Sequence, residues 1–100
     1  MTDKKRFFSV LTFTSNATVY RFKQPLQLQH EKLDNRLLCL SRDEEPILQA
    51  FGKSWKECID GIREELEMLW EEYAMADDST LTQGAIMLKN ILRDMVVKEV

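Results

Sequence analysis

Histidine occurs once in this chain, at His30, and that scarcity removes much catalytic chemistry at the outset. Beyond that one imidazole, no Ser-His-Asp or Cys-His arrangement can be assembled for nucleophilic catalysis. Cysteine occurs twice, at Cys39 and Cys58, without the CxxC spacing of a zinc site or a dithiol redox centre. Two such residues in a domain with an adequate core read as buried thiols. Three glycines and two prolines exclude low-complexity linkers. No apolar run approaches the ~20 residues that span a bilayer. The opening "MTDKKRFFSVLTFTS" places basic residues before apolar ones, as a signal peptide does. Ser and Thr interrupt its apolar part and no small-residue cleavage site follows, so the alternation suits a strand better. The expectation is a cytoplasmic, non-enzymatic chain with no metal, no cofactor and no membrane segment.

What is present describes one globular domain over residues 1–100. An apolar fraction of 44% and a charged fraction of 31% are ordinary for a folded chain of this length. Charge is divided unevenly, with net +2 over residues 1–50 and net −5 over residues 51–100. An acidic chain is a poor binder of duplex nucleic acid, because phosphate contacts need a clustered basic face.

Residues 1–52 read in period two. "RFFSVLTFT" carries Phe7, Leu11 and Phe13 on one face and Phe8 and Val10 on the other. "TSNAT" supplies a turn, "TVYRF" a second strand and "LQLQH" a third. "LLCLS" and "ILQAF" follow after the turns "KLDNR" and "RDEEP". Pro25 and Pro46 then stand at strand starts, where a missing N–H costs little. Short connections imply an antiparallel meander.

After Gly52 the period becomes helical. Trp55, Cys58, Ile59, Ile62, Leu66, Leu69, Trp70 and Tyr73 form a stripe of about five turns. Ser54 with Glu57 three residues on predicts a capping box. A second helix carries Leu81, Ala85, Leu88, Ile91, Leu92 and Met95, with Asp78, Ser79 and Thr80 as candidate caps and Gln83 placed as the capping-box partner of Thr80. The fold expected is α+β, an antiparallel sheet of about five strands with two C-terminal amphipathic helices on one face. Its expected core is Leu28, Leu38, Leu40, Phe51, Ile59, Ile62, Leu66, Leu88 and Leu92.

The joint "GKS" invites a phosphate-loop reading, but that motif needs a second glycine five residues ahead of the first. A strand-to-helix joint explains it better, with Gly52 for an unusual dihedral and Ser54 for the cap. The same joint resembles the HicB-like antitoxin domain, in which a "G-D-T-x-E-E-A" type segment leads into the helix. The matching residues are Gly52, Ser54, Glu57 and Cys58, then Ile59, Ile62, Arg63, Glu64 and Leu66, within about residues 36–70. "SRDEEPILQ" departs from the family's Pro-Asp-Leu-Pro-Gly type stretch, and no DNA-binding module follows. The resemblance implies a protein-binding module whose partner is a small, basic, RNase-like toxin.

Three sets of site residues follow. The acidic helix face of Glu64, Glu67, Glu71 and Glu72 is the expected surface for a basic protein partner. The uncharged strand around Phe8 and Val10 is the expected interface of a homodimer, since an open strand edge must be paired or covered. The alternative function is single-stranded nucleic-acid binding on the sheet, where Tyr20 and Phe22 interleave with Arg21, Lys23 and Arg36 as a stacking platform would.

Overall fold

The computed structural model describes residues 8–99, so Arg6 and Phe7, read above into the first strand, lie outside the described residues. The fold is α+β: an antiparallel five-stranded sheet and two C-terminal helices. β1 (Phe8–Ser15) and β2 (Thr18–Lys32) form a hairpin, followed by β3 (Leu38–Arg42) and β4 (Leu48–Gly52) in the order β1-β2-β3-β4. α1 (Trp55–Leu69) and α2 (Gln83–Met95) come next, and β5 (Val96–Lys98) returns to pair with β2.

The strand count is as expected, but two of the strands are not those the alternation suggests. "TVYRF" and "LQLQH" are one 15-residue strand. Between Val10↔Leu26 and Thr12↔Arg21, β1 advances two residues while β2 advances five. The surplus in β2 is a bulge at Phe22–Pro25, and a proline without an N–H fits there, mid-strand. The shift also changes which β1 residues face inward. Phe8 and Val10 do so before it, Phe13 and Ser15 after it, and Leu11 is left 56% exposed. The fifth strand is the C-terminal "VVK", whose Val96 is buried opposite Phe22.

The hairpin turn is Asn16-Ala17, with both residues at positive φ, 50° and 63°. A two-residue loop of this kind matches the right-handed twist of the strands it joins, and it favours Asn and Gly. Ala17 carries a Cβ into the left-handed region at a cost of about 1 kcal/mol. Ala17→Gly should therefore raise stability by several tenths to about 1 kcal/mol, read from the urea midpoint. A lower midpoint would overturn this account of the turn.

One core lies between the inner sheet face and the helices. Leu28, Leu40, Ile62, Leu66 and Leu92 are buried in it, as expected, while Leu38, Ile59 and Leu88 pack at its margin. Phe51 does not join it and is 50% exposed. β4 turns Leu48, Ala50 and Gly52 inward, so Phe51 has the outward phase. α1 contributes Cys58, Ile62 and Leu66, and Trp70 and Ala74 in the π-helical turn Trp70–Ala74 continue this four-residue spacing.

The joint at Gly52 works by close approach rather than by dihedral. No glycine has positive φ among the described residues. A Cβ on Gly52 would meet Glu57 Cβ at 2.7 Å and the Cys58 backbone nitrogen at 3.2 Å. The Ser54 hydroxyl accepts from Glu57 N–H at 3.1 Å, and Glu57 Oε1 accepts from Lys53 N–H at 3.1 Å. The cap is thus reciprocal, one residue displaced from the usual box. α2 is capped by Thr82, whose hydroxyl accepts from Ala85 N–H at 3.2 Å, and not by Thr80. Residues Asp78–Thr80 form a separate 3-10 turn capped by Asp77. Lys89 Nζ donates to Ala76 O at 2.6 Å and Arg93 Nη1 donates to Ala74 O at 2.8 Å. Two cations four residues apart on α2 thereby satisfy carbonyls at the end of the preceding helical segment.

Candidate functional site

The acidic residues of α1 lie beside its buried stripe, and the fold sets them against β1. Asp60, Glu64 and Glu67 follow at helical spacing, so their carboxylates share one side of the helix. They line a groove of about 470 Å³ whose other wall is Thr12, Phe13 and Thr14 of β1. β1 is the terminal strand of the sheet, and no other described strand pairs with its outer edge. Free main-chain hydrogen-bonding groups and carboxylates are therefore adjacent.

The charges in this groove are only partly compensated. Lys56 Nζ binds Asp60 Oδ2 at 2.8 Å, and the bond and charge of Asp60 hold the Lys56 ammonium above its ordinary pKa. Glu64 and Glu67 form no ion pair among the described residues, though Arg63 also lines the groove. Glu71 and Glu72 are exposed in the π-helical turn beyond it and do not line it. Glu65, one position away, has a structural role instead. Its Oε1 accepts from the Gln49 N–H of β4 at 3.1 Å.

The other residues singled out by sequence are placed differently. Val10 is 0% exposed and belongs to the core, and the Phe8 ring packs on Trp55 at 4.9 Å and His30 at 5.5 Å. Val10 thus has no surface to give to a dimer interface, and Phe8 is half-buried within the chain's own fold. Phe22 is 5% exposed, and half-buried Tyr20 lies 4.4 Å from the Trp70 ring and 5.4 Å from the Phe13 ring. Arg21 and Lys23 point to the opposite face, where Arg21 Nε pairs with Glu99 Oε1 at 2.8 Å. Arg36 is exposed in the 3-10 turn Asp34–Arg36. Aromatic and basic residues alternate along β2, and alternation along a strand separates them onto two faces. They form no common stacking surface.

Neither cysteine thiol is activated in this environment. Burial pushes the Cys39 and Cys58 thiols up, away from the reactive thiolate. His30 meets both the Phe8 and Trp55 rings edge to face, and its Nδ1 is buried with no hydrogen-bond partner among the described residues. Among the described residues no group of three or more His, Cys, Asp or Glu is placed to hold a metal ion. No described helix is long and apolar enough to cross a membrane. No family model, curated protein or solved structure matches the chain.

Proposed function

We propose that the chain is a non-enzymatic protein-binding module that takes a basic partner along the groove between β1 and α1. The observation that carries this reading is the adjacency of an unpaired strand edge to the unpaired carboxylates of Glu64 and Glu67. An extended segment can extend the sheet there through main-chain hydrogen bonds, while Lys or Arg side chains reach α1. Glu71 and Glu72 extend the negative field beyond the groove and steer a basic partner toward it. The HicB-like segment suggests what that partner is, a small basic toxin of RNase type.

The test uses a blocked hexapeptide alternating Val and Lys, with the double substitution Glu64→Lys and Glu67→Lys in the protein. Both glutamates are exposed, so the fold should be retained. Binding of the peptide should weaken by at least about tenfold in the variant and fall with added salt in the parent. Equal affinity for both proteins would overturn the assignment.

A further inference from the structure

From Pro46 to Gly52 burial alternates without a break. Pro46, Leu48, Ala50 and Gly52 are buried, and Ile47, Gln49 and Phe51 between them are exposed. This is β4 with the residues that lead into it, at the opposite end of the sheet from β1. Leu48 and Ala50 join the core, so the exposed three form a row on the face turned away from the helices. Ile47 is 61% exposed and Phe51 50%, about 13 Å apart along an extended chain. β3 widens this strip without adding charge, because Cys39 pairs with Phe51 and Ser41 with Gln49. The main-chain edge of β4 is closed at its centre, where Gln49 N–H donates to Glu65 Oε1 at 3.1 Å. What β4 presents outward is therefore a row of side chains rather than a place for another strand.

We infer that this row is the contact surface of a homodimer, in which two copies lay their β4 faces together, strands antiparallel, about a two-fold axis at Gln49. Two observations carry it. The first is the exposed apolar strip itself. Pro46–Gly52 holds no charged residue. Two large apolar side chains on one face, bounded by charge, have the anatomy of an interaction surface. An axis at Gln49 sets Ile47 of each copy against Phe51 of the other, so every large apolar side chain of the row is covered.

The second observation is charge of opposite sign at the two ends of the strip. The turn entering β4 holds Asp43, Glu44 and Glu45 against Arg42 alone. At the far end Lys53 follows the strand, and Lys32 and Arg36 lie beside the start of β3, against Asp34 and Glu57. The antiparallel arrangement lays the net negative end of one copy on the net positive end of the other. A parallel one would set like on like, so charge selects the direction. Charge also names the occupant, because a strip that is apolar at its centre and oppositely charged at its ends is complementary to itself. An isologous contact of this kind closes and does not propagate. The surface is separate from the β1–α1 groove, and a monomeric variant should keep peptide binding there.

Sedimentation equilibrium of the whole chain, from about 10 µM to about 1 mM, reads the association. Few residues take part beside the roughly 20–30 a side of a standard interface, so the dimer should be weak, forming in the sub-millimolar range. Phe51→Ser should weaken it by about tenfold or more, and Leu11→Ser, a control at another exposed apolar residue, should leave it unchanged. Glu45→Lys and Lys53→Glu should each weaken it by about threefold at low salt, because each sets like charges at both ends. The two charge variants mixed in equal amounts should recover the parent affinity within about twofold, since a mixed dimer restores opposite charges. All four side chains are exposed, so the fold should be retained throughout. A chain that stays monomeric at about 1 mM overturns the inference and leaves the row to a different protein. Association that survives Phe51→Ser, or that Leu11→Ser weakens as much, places the contact elsewhere and overturns it too. So does a charge reversal without effect, or a mixture that fails to recover, because either removes the antiparallel register.

Discussion

Val10→Lys should abolish cooperative folding. Val10 is 0% exposed, paired with Leu26 on the inner face of the sheet and embedded in the core. An ammonium placed there loses its hydration and finds no carboxylate among the buried residues of that core. The effective penalty for an unpaired buried ion is several kcal/mol, against a total stability of about 5–15 kcal/mol for a small domain. Circular dichroism and urea unfolding of the variant should show a chain that is largely unfolded or has lost most of its stability. A folded monomer with an unchanged midpoint, the result expected of a surface strand residue, would contradict the burial of β1. Leu11→Lys is the matched control. Leu11 is 56% exposed one position away, and its substitution should change stability by about 0.5 kcal/mol or less.

Trp70→Ala should cost about 3–5 kcal/mol, the range for deleting a large aromatic from a core. Trp70 is 5% exposed and sits where α1 passes into its π-helical turn. Its ring meets Tyr20 at 4.4 Å and Phe13 at 5.6 Å, and Phe13 in turn meets Phe22 at 5.6 Å. Removing the indole therefore opens a cavity joining helix to hairpin and loosens three neighbouring rings. For a domain of about this size each kcal/mol lowers the melting temperature by roughly 4–8 °C, so a fall of more than about 10 °C is expected. Trp70→Phe separates packing from polarity. The indole Nε1 is buried with no hydrogen-bond partner among the described residues, and an orphaned donor is itself costly, by about 1–3 kcal/mol. Phe discards that donor and keeps most of the ring, so its loss should stay below about 1.5 kcal/mol. If alanine is tolerated within 1 kcal/mol by calorimetry, Trp70 does not anchor the core.

The candidate site was half legible. Asp60, Glu64 and Glu67 belong to a helical repeat, and any sequence with that spacing places carboxylates on one side of the helix. That Thr12–Thr14 form the facing wall depends on a contact across about fifty residues, for which local pattern has no signal. Arg42 shows the same limit. Its sequence neighbours are Asp43, Glu44 and Glu45, the surroundings of a solvated turn, yet its side chain is largely buried.

The α+β class, the two amphipathic helices, the Ser54 cap and part of the core (Leu28, Leu40, Ile62, Leu66 and Leu92) follow from local chemistry in the sequence. Periods of two and 3.6 residues, capping donors and turn residues act within a few positions and need no distant partner. Tertiary structure decided the rest. The bulge that fuses two apparent strands into β2 and turns Phe13 inward depends on register against β1. The outward phase of Phe51 depends on which face of β4 meets α1, and the return of Val96–Lys98 as a strand depends on a free edge at Tyr20–Phe22. Each is a choice between pairings that local sequence permits about equally. Long-range packing separates them, because only one register buries Val10, Phe13, Phe22 and Trp70 in the same core.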